Sequence, residues 1–125
     1  MNLVDSTAWL EYFANGPNAS FFVPAVERID ELLVPSLTLY EVFKRVLQQR
    51  DEGSALQAVA VMQQGMVVDL DAHIALSAAR ISCEKKLPMA DSVILATARA
   101  YGATVWTQDS DFKDLPDVQY RKRKA

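Results

Sequence analysis

Residues 103–112 are Ala103-Thr104-Val105-Trp106-Thr107-Gln108-Asp109-Ser110-Asp111-Phe112. The first half is a short apolar run rich in β-branched and aromatic residues, which is typical of a strand. The second half holds two aspartates spaced by one residue, followed by a phenylalanine that can anchor the loop. Aspartate and serine are also common turn residues, so in isolation this loop favours a polar turn. The stretch predicts a buried strand with carboxylates at its carboxyl end.

The order of short apolar strand, polar residue and helix recurs along the chain. Strands are predicted at 3–4, 32–34, 66–68 and 103–107, with a short fifth strand at 118–120. Helices are predicted at 8–13, at 20–30, from 35 or 36 to about 51, at 54–64, from Asp69 or Asp71 to about 86, and at 89–101. Within the second helix, Pro24 is expected to limit the extension toward the N-terminus.

Strands that are short and apolar throughout are typical of a parallel sheet covered by helices on both faces. The sequence therefore predicts an α/β fold, a three-layer α/β/α sandwich with a short, mostly parallel sheet of four or five strands. A chain of 125 residues has the usual length of one domain, so residues 1–125 are predicted to form one. Such sheets bind ligands outside the carboxyl ends of their strands, which is the end where Asp5 and Asp109 fall.

The amino-acid composition favours a folded protein and argues against a membrane-spanning one. Half of the residues are hydrophobic and 23% are charged, which is typical of a folded chain. No apolar run approaches the roughly 20 residues that a membrane helix needs. The first residues form neither a basic leader nor a long apolar stretch, so we expect no secretory signal and a cytoplasmic protein. The lone Cys83 and the lone His73 lack partners for a nucleophile or a metal site, and we interpret them as packing or surface residues.

A basic tail, residues 121–125, ends the chain. Arg121, Lys122, Arg123 and Lys124 are four of the thirteen basic residues, which leaves nine basic against sixteen acidic residues, a formal charge of −7, in residues 1–120. A tail of this kind is most often a solvated, frayed terminus. The functional alternative is attraction of phosphate groups, which would make binding depend on salt.

Four acidic residues lie where an apolar run ends or a helix begins: Asp5, Glu41, Asp91 and Asp109. Each has an ordinary structural explanation. Asp5 and Asp109 can serve as a helix cap and a turn residue, and Asp91 suits the first turn of a helix. Glu41 can pair with Arg45 one helical turn later.

The same four carboxylates can also be brought to one edge of the sheet by separate elements. Two such charges about 5 Å apart repel by roughly 3 kcal/mol at an effective dielectric constant of about 20. A hard divalent cation such as Mg²⁺ or Mn²⁺ removes that repulsion and prefers oxygen ligands. The joint occurrence of all four acids therefore predicts a metal site.

Four motifs follow one another in the order Asp5-Ser6, Glu41, Leu87-Pro88-Met89-Ala90-Asp91 and Thr107-Gln108-Asp109-Ser110-Asp111-Phe112. In this order they resemble the acidic motifs of PIN-domain proteins, most closely the VapC-type toxin ribonucleases, over essentially the whole chain. The resemblance implies that the metal-binding, catalytic acids are Asp5, Glu41, Asp91 and Asp109. It also implies that Asp111 is an outer or additional ligand, and that Ser6 and Thr107 form hydrogen bonds around the cluster.

For the whole protein, the resemblance implies a metal-dependent endoribonuclease with Mg²⁺ or Mn²⁺ as cofactor and RNA as substrate. It further implies a homodimer and an antitoxin that blocks the site. Because the sequence offers no credible serine, cysteine or histidine nucleophile, cleavage would use water activated by the metal. The residues predicted to hold the RNA backbone are Lys44, Arg45, Arg121, Lys122, Arg123 and Lys124, with solubility as the alternative for each taken singly.

Three other classes of protein are alternatives to this interpretation. A receiver-type signalling domain also has an acidic Mg²⁺ pocket, but it needs a pair of acids after the first strand and a lysine after a later one. Here Asp5 stands alone, and Asp109 follows the strand where the lysine would be expected. A haloacid-type phosphatase would need a second aspartate two residues after Asp5. A non-catalytic interaction protein that keeps the PIN fold stays open, because sequence alone does not show turnover.

Overall fold

The structure is a computed structural model that describes residues 1–124, and Ala125, the last residue of the predicted tail, lies outside the described residues. The described strands are β1 (Asn2–Val4), β2 (Leu32–Pro35), β3 (Met66–Val68), β4 (Thr104–Thr107) and β5 (Val118–Tyr120). The helices are α1 (Ser6–Phe13), α2 (Ala19–Glu27), α3 (Ser36–Gln49), α4 (Glu52–Met62), α5 (Ala72–Lys85) and α6 (Met89–Tyr101). Short 3₁₀ helices at Ile29–Glu31 and Ser110–Phe112 precede β2 and follow β4.

The strands form one sheet in the order β3-β2-β1-β4-β5, and every pairing between them is parallel. The predicted α/β sandwich with a short parallel sheet is therefore confirmed, with five strands among the described residues. The chain starts at the centre of the sheet, builds β2 and β3 on one side, and then crosses to β4 on the other. Ligands of such sheets bind where the strand order reverses, which here is the crevice between the carboxyl ends of β1 and β4.

Helices cover both faces of the sheet because successive side chains of a strand point to opposite faces. Leu3, Leu33 and Val105 pack with buried residues of α5 and α6 on one face. On the other face, Val4 and Val34 pack with buried residues of α1, α2, α3 and α4. The sheet order also distinguishes the chain from the receiver-type alternative, in which the first strand lies between the second and the third.

The helix boundaries differ from prediction where capping or solvent decides them. The α4 helix begins two residues earlier than predicted, because the Asp51 carboxylate accepts a hydrogen bond from the backbone N–H of Ser54 at 2.7 Å. The prediction for Pro24 was wrong: α2 extends five residues toward the N-terminus from it. Proline removes the N–H that would bond the carbonyl of Ser20, but both residues are exposed, so water can hydrate that carbonyl. Within residues 1–124, no helix has the length and apolar character needed to cross a membrane.

Candidate metal centre

Asp5 follows β1 directly, and its side chain is only 4% exposed. Its Oδ1 atom caps α1 by accepting a hydrogen bond from the Ala8 N–H at 3.0 Å, and it also accepts one from the Thr7 hydroxyl at 2.7 Å. Its Oδ2 atom accepts a hydrogen bond from the Thr107 hydroxyl at 2.5 Å. The pKa of Asp5 is raised to about 6, chiefly by burial and also by the charge of Asp109, although these three hydrogen bonds oppose the shift.

The loop after β4 holds the second carboxylate. The buried Thr107 hydroxyl, which donates to Asp5, accepts a hydrogen bond from the Asp109 N–H at 2.8 Å. The Asp109 side chain in turn accepts one from the Asp111 N–H at 2.9 Å and caps the short 3₁₀ helix. Phe112 is fully buried and fixes the end of the loop, as its place in the sequence predicted. The loop is therefore an ordered polar turn that also carries two carboxylates.

Asp91 reaches the same place from the first turn of α6. The next seven residues, 92–98, are all buried, so this helix is firmly packed and its N-terminus is fixed. Carboxylate oxygens of Asp91, Asp109 and Asp111 lie within 4.8 Å of one another. The pKa of Asp91 is raised to about 8, chiefly by burial and also by a hydrogen bond with Asp111 and by the charges of Asp109, Asp111 and Asp5. At neutral pH and without a cation, this group is therefore held in a protonated state.

Glu41 completes the cluster from the second turn of α3. Burial raises its pKa; a hydrogen bond from Ser6 opposes the shift, and the charge of Asp109 adds to it. The alternative of an ion pair with Arg45 is not what the structure shows, because within residues 1–124 the ion pair found joins Arg28 to Glu31. Glu41 thus lies near the charge of Asp109 and forms no described ion pair with a base.

The structure brings together Asp91, Asp109 and Asp111, and it places Asp5 and Glu41 near enough for their charges to interact with this trio. Burial is the main cause of the raised pKa values of Asp5, Glu41 and Asp91, and the charge of Asp109 contributes to all three. No described ion pair neutralises any of these acids. The closest trio includes Asp111, whereas both oxygens of Asp5 are engaged by hydrogen bonds. An all-oxygen set of this kind fits a hard divalent cation such as Mg²⁺ or Mn²⁺.

The residues predicted to hold RNA separate into two groups. Arg45, Arg123 and Lys124 line a groove beside the acidic cluster. The Lys44 ammonium instead lies 5.6 Å from the centre of the Tyr40 ring on the same helix. The Arg121 guanidinium lies 4.4 Å from the centre of the Phe21 ring, and Lys122 is held through its backbone carbonyl, which accepts a hydrogen bond from Asn18 at 3.0 Å. The tail is thus attached to the body at Arg121 and Lys122, while the side chains of residues 121–124 stay exposed to solvent.

Three residues that support the site were missed by the sequence analysis. Thr7 accepts a hydrogen bond from the Gln108 N–H at 3.2 Å, in addition to donating to Asp5. Buried Asn18 donates to the Gln108 side-chain oxygen at 2.8 Å. Thr7 could have been found from its place beside a cap, two residues after Asp5. Asn18 carries no such signal, because its partner is 90 residues away in the sequence.

Comparisons with known proteins agree with this fold. The sequence profile of the PIN domain family matches residues 3–118. A chain of a toxin–antitoxin complex from Klebsiella pneumoniae superposes with a TM-score of 0.81 at 20% identity, covering 95% of this chain and 96% of that one. The sarcin–ricin loop cleaving toxin VapC20 of Mycobacterium tuberculosis gives 0.77 at 16%, covering 93% and 95%. DNA-bound VapBC of Salmonella typhimurium gives 0.74 at 20%, covering 98% of each chain. A search of curated protein sequences finds no significant match.

Proposed function

This chain belongs to the PIN domain family, and from that membership and its acidic centre we propose that it is a metal-dependent endoribonuclease, the toxin of a toxin–antitoxin pair. The observation that carries the proposal is the trio Asp91, Asp109 and Asp111, whose carboxylate oxygens lie within 4.8 Å of one another, with Asp5 and Glu41 close enough for their charges to interact with it. Such a cluster is costly for a fold to keep, since each pair of charges repels. A functional role in cation binding explains why the cost is tolerated.

We propose Asp5, Glu41, Asp91 and Asp109 as the metal-binding catalytic acids, with Asp111 as an additional ligand. Mg²⁺ or Mn²⁺, when bound, supplies activation of water and stabilisation of the charge that develops on the phosphate oxygens. Ser6 and Thr107 act by position: Ser6 through its hydrogen bond to Glu41, and Thr107 through its bonds to Asp5 and to the backbone of Asp109.

The negative charge of the site determines when RNA can bind. Uncompensated carboxylates repel phosphate, so RNA is admitted only when the negative charge of the cluster has been neutralised. Thr7 and Thr107 hold the Asp5 carboxylate from both sides, which removes its rotational freedom before any ligand arrives. Fixed carboxylates of this kind reduce the reorganisation needed during reaction.

The substrate class and the partners follow from the family and the similar structures. RNA cleavage is supported by the likeness to VapC20, which is named for cleaving the sarcin–ricin loop. An antitoxin partner is supported by the likeness to chains from toxin–antitoxin complexes. A homodimer and a cytoplasmic location, where RNA would be available as substrate, complete the proposal. Co-expression with the product of a neighbouring reading frame, followed by a growth assay, tests the antitoxin, and light scattering of the purified chain tests the dimer.

Cleavage of a mixed pool of cellular RNA by the purified protein tests the activity. We expect cleavage with Mg²⁺ or Mn²⁺, no cleavage in EDTA, and recovery when the metal is added back. Asp91→Asn should abolish cleavage, while Asp69→Asn, an exposed aspartate outside the cluster, should leave it unchanged. Full activity of the Asp91→Asn protein, or cleavage that persists in EDTA, would contradict the proposal. A folded parent protein that cleaves no RNA under any of these conditions would favour a non-catalytic interaction protein.

A further inference from the structure

A groove of about 760 Å³ opens beside the acidic centre and has no role in the function proposed above. Its walls come from α1, α3, α4 and the residues after β5. Thr7 and Gln108 line it, and both belong to the hydrogen-bonded network that holds Asp5. The groove and the acidic centre are therefore joined through shared residues, and a ligand at the centre can continue into the groove.

The charge of the groove is opposite to that of the centre. Four cations line it: Arg45, Arg50, Arg123 and Lys124. Among the described lining residues they face one carboxylate, Glu11, which accepts a hydrogen bond from the Asn18 N–H at 2.6 Å. This concentration of cations is notable in a chain whose formal net charge is −3. An anionic polymer that passes the neutralised acidic centre would meet an attractive surface here.

The groove also offers an apolar surface between its cations. Phe13 lines it and is partly exposed. The Phe13 ring stacks on Trp9, with ring centres 5.5 Å apart and an angle of 18° between the planes, so it is held in a fixed orientation. Exposed aromatic rings beside cations are the usual means of binding single-stranded nucleic acid, in which bases stack and phosphates pair with basic side chains.

Spacing along α3 connects the two regions. Glu41 lies in the acidic centre, and Arg45 follows one turn later on the same side of the helix, with Gln49 a further turn on. Each four-residue step advances about 6 Å along the axis. One face of α3 therefore runs from the carboxylates to the cations without interruption.

The residues after β5 form another wall of the groove, and contacts with the body of the protein hold their first residues in place. Asn18, 3% exposed, donates hydrogen bonds both to the Gln108 side chain and to the Lys122 carbonyl. The Arg121 guanidinium rests on the Phe21 ring. These two attachments hold residues 121 and 122, so the exposed side chains of Arg123 and Lys124 begin at the groove, and less of the backbone has to be ordered when RNA binds.

We propose that this groove binds the single-stranded RNA that flanks the scissile phosphate, with Arg45, Arg50, Arg123 and Lys124 on the backbone and Phe13 beneath a base. The inference rests on the proposed nuclease function and specifies where its substrate lies. It also assigns different roles to two adjacent basic residues of α3. Arg45 binds RNA, whereas Lys44, whose ammonium lies over the Tyr40 ring, does not.

Binding of a labelled single-stranded RNA of about 12 nucleotides, measured by fluorescence anisotropy over a range of salt concentrations, tests the proposal. All variants are compared in the Asp91→Asn background, which prevents cleavage and also removes one carboxylate from the cluster, and the Mg²⁺ concentration is the same throughout. Loss of one phosphate contact from single-stranded RNA reduces the slope of log K against log salt by about 0.7, which is about fivefold in affinity at 0.1 M salt. We expect this loss for Arg45→Ala, and about twice the slope change for Arg45→Ala combined with Arg123→Ala.

Two controls make the result specific to the groove. Lys44→Ala removes the same charge from an equally exposed position on the same helix and should leave the slope unchanged. Arg45→Lys keeps the charge and should retain the slope. Equal losses for Lys44→Ala and Arg45→Ala would overturn the proposal in favour of a general charge effect. Unchanged binding in the double variant would overturn it as well and assign the groove to a protein partner. In either case, metal-dependent cleavage by the parent protein would show that the proposed nuclease function still stands.

Discussion

The Asp91→Asn variant should be more stable than the parent protein in EDTA and less stable than the parent in Mg²⁺. The reason is the surroundings of Asp91, whose carboxylate oxygen lies within 4.8 Å of oxygens from Asp109 and Asp111. Without a cation, the parent must either confine these charges together or hold a proton on Asp91. Asparagine has nearly the same shape and no charge, so the substitution removes the conflict while leaving the packing of α6 intact.

The size of the effect follows from the pKa of Asp91, which rises from 3.8 to about 8. One pKa unit corresponds to about 1.4 kcal/mol, so keeping this group folded at pH 7 costs up to about 4 kcal/mol. Partial exposure of Asp91 to solvent screens the interaction and reduces the cost to about 2 kcal/mol. The variant also loses up to about 1 kcal/mol, because asparagine replaces the protonated carboxyl that shares a hydrogen bond with Asp111. The net expected gain is about 1 kcal/mol, or about 4 °C in Tm.

Mg²⁺ reverses the order because it binds the folded parent. At a free concentration one hundred times Kd, a ligand stabilises the folded state by about 2.7 kcal/mol. The variant lacks one ligand and keeps little of this gain. Thermal or urea unfolding at pH 7, in EDTA and in excess Mg²⁺, measures all four stabilities, with Asp69→Asn as the matched control that should behave like the parent in both buffers.

Two results would refute this reasoning. A variant less stable than the parent in EDTA would mean that the Asp91 charge stabilises the fold, as a simple helix N-terminal residue would. An equal gain in Mg²⁺ for the parent and the variant would mean that the ion binds elsewhere.

Three further predictions concern the same residues. The metal-free parent should gain stability as the pH falls from 8 toward 4, because the carboxyl of Asp91, with its raised pKa, binds its proton more tightly in the folded state. Urea unfolding at several pH values measures this gain. An Asp91→Asn protein that responds to pH as strongly as the parent would show that Asp91 is not the group responsible. Thr107→Val should lower the free energy of unfolding by about 1–3 kcal/mol and raise the pKa of Asp5 above 6, because both hydrogen bonds of the hydroxyl are lost. Thr107→Ser keeps the hydroxyl and should retain most of the stability. Urea unfolding measures the stability and NMR titration the pKa, and equal behaviour of the two variants would refute the role of the hydroxyl. Asn18→Ala should release the Lys122 carbonyl and reduce the salt dependence of RNA binding without changing the EDTA sensitivity of cleavage, and unchanged RNA binding would show that the tail holds its position without this bond.

The elements of the fold could be predicted because their signals are local. Apolar runs mark β2 and β4, and Gly102, with a positive φ of 63°, ends α6 where the sequence predicted. The gathering of acids could be predicted because parallel strands end at a common edge and the acids follow their ends. The position of Pro24 inside α2 could not, since it depends on which side of the helix meets solvent.

The basic residues show where prediction from sequence ends. On a helix with about 100° between successive residues, Lys44 and Arg45 lie about 60° and 40° to either side of Glu41. Periodicity therefore treats them as equivalent. Only the tertiary packing separates them, because α1, α4 and the tail form a groove on the Arg45 side. Arg50 was missed for the same reason: it follows the end of α3 and joins the groove only when the folded elements meet.

The same carboxylate can cap a helix and bind a cation. A carboxylate has two oxygens and about four acceptor positions, so it can cap a helix with one part and face a ligand with another. Asp109 uses one oxygen to accept the Asp111 N–H while its carboxylate also belongs to the closest trio. Asp91 occupies the helical position where a negative charge is favoured and still faces two other acids. Capping and cation binding are therefore one arrangement: the caps fix each carboxylate at an element end, and the parallel sheet brings those ends together.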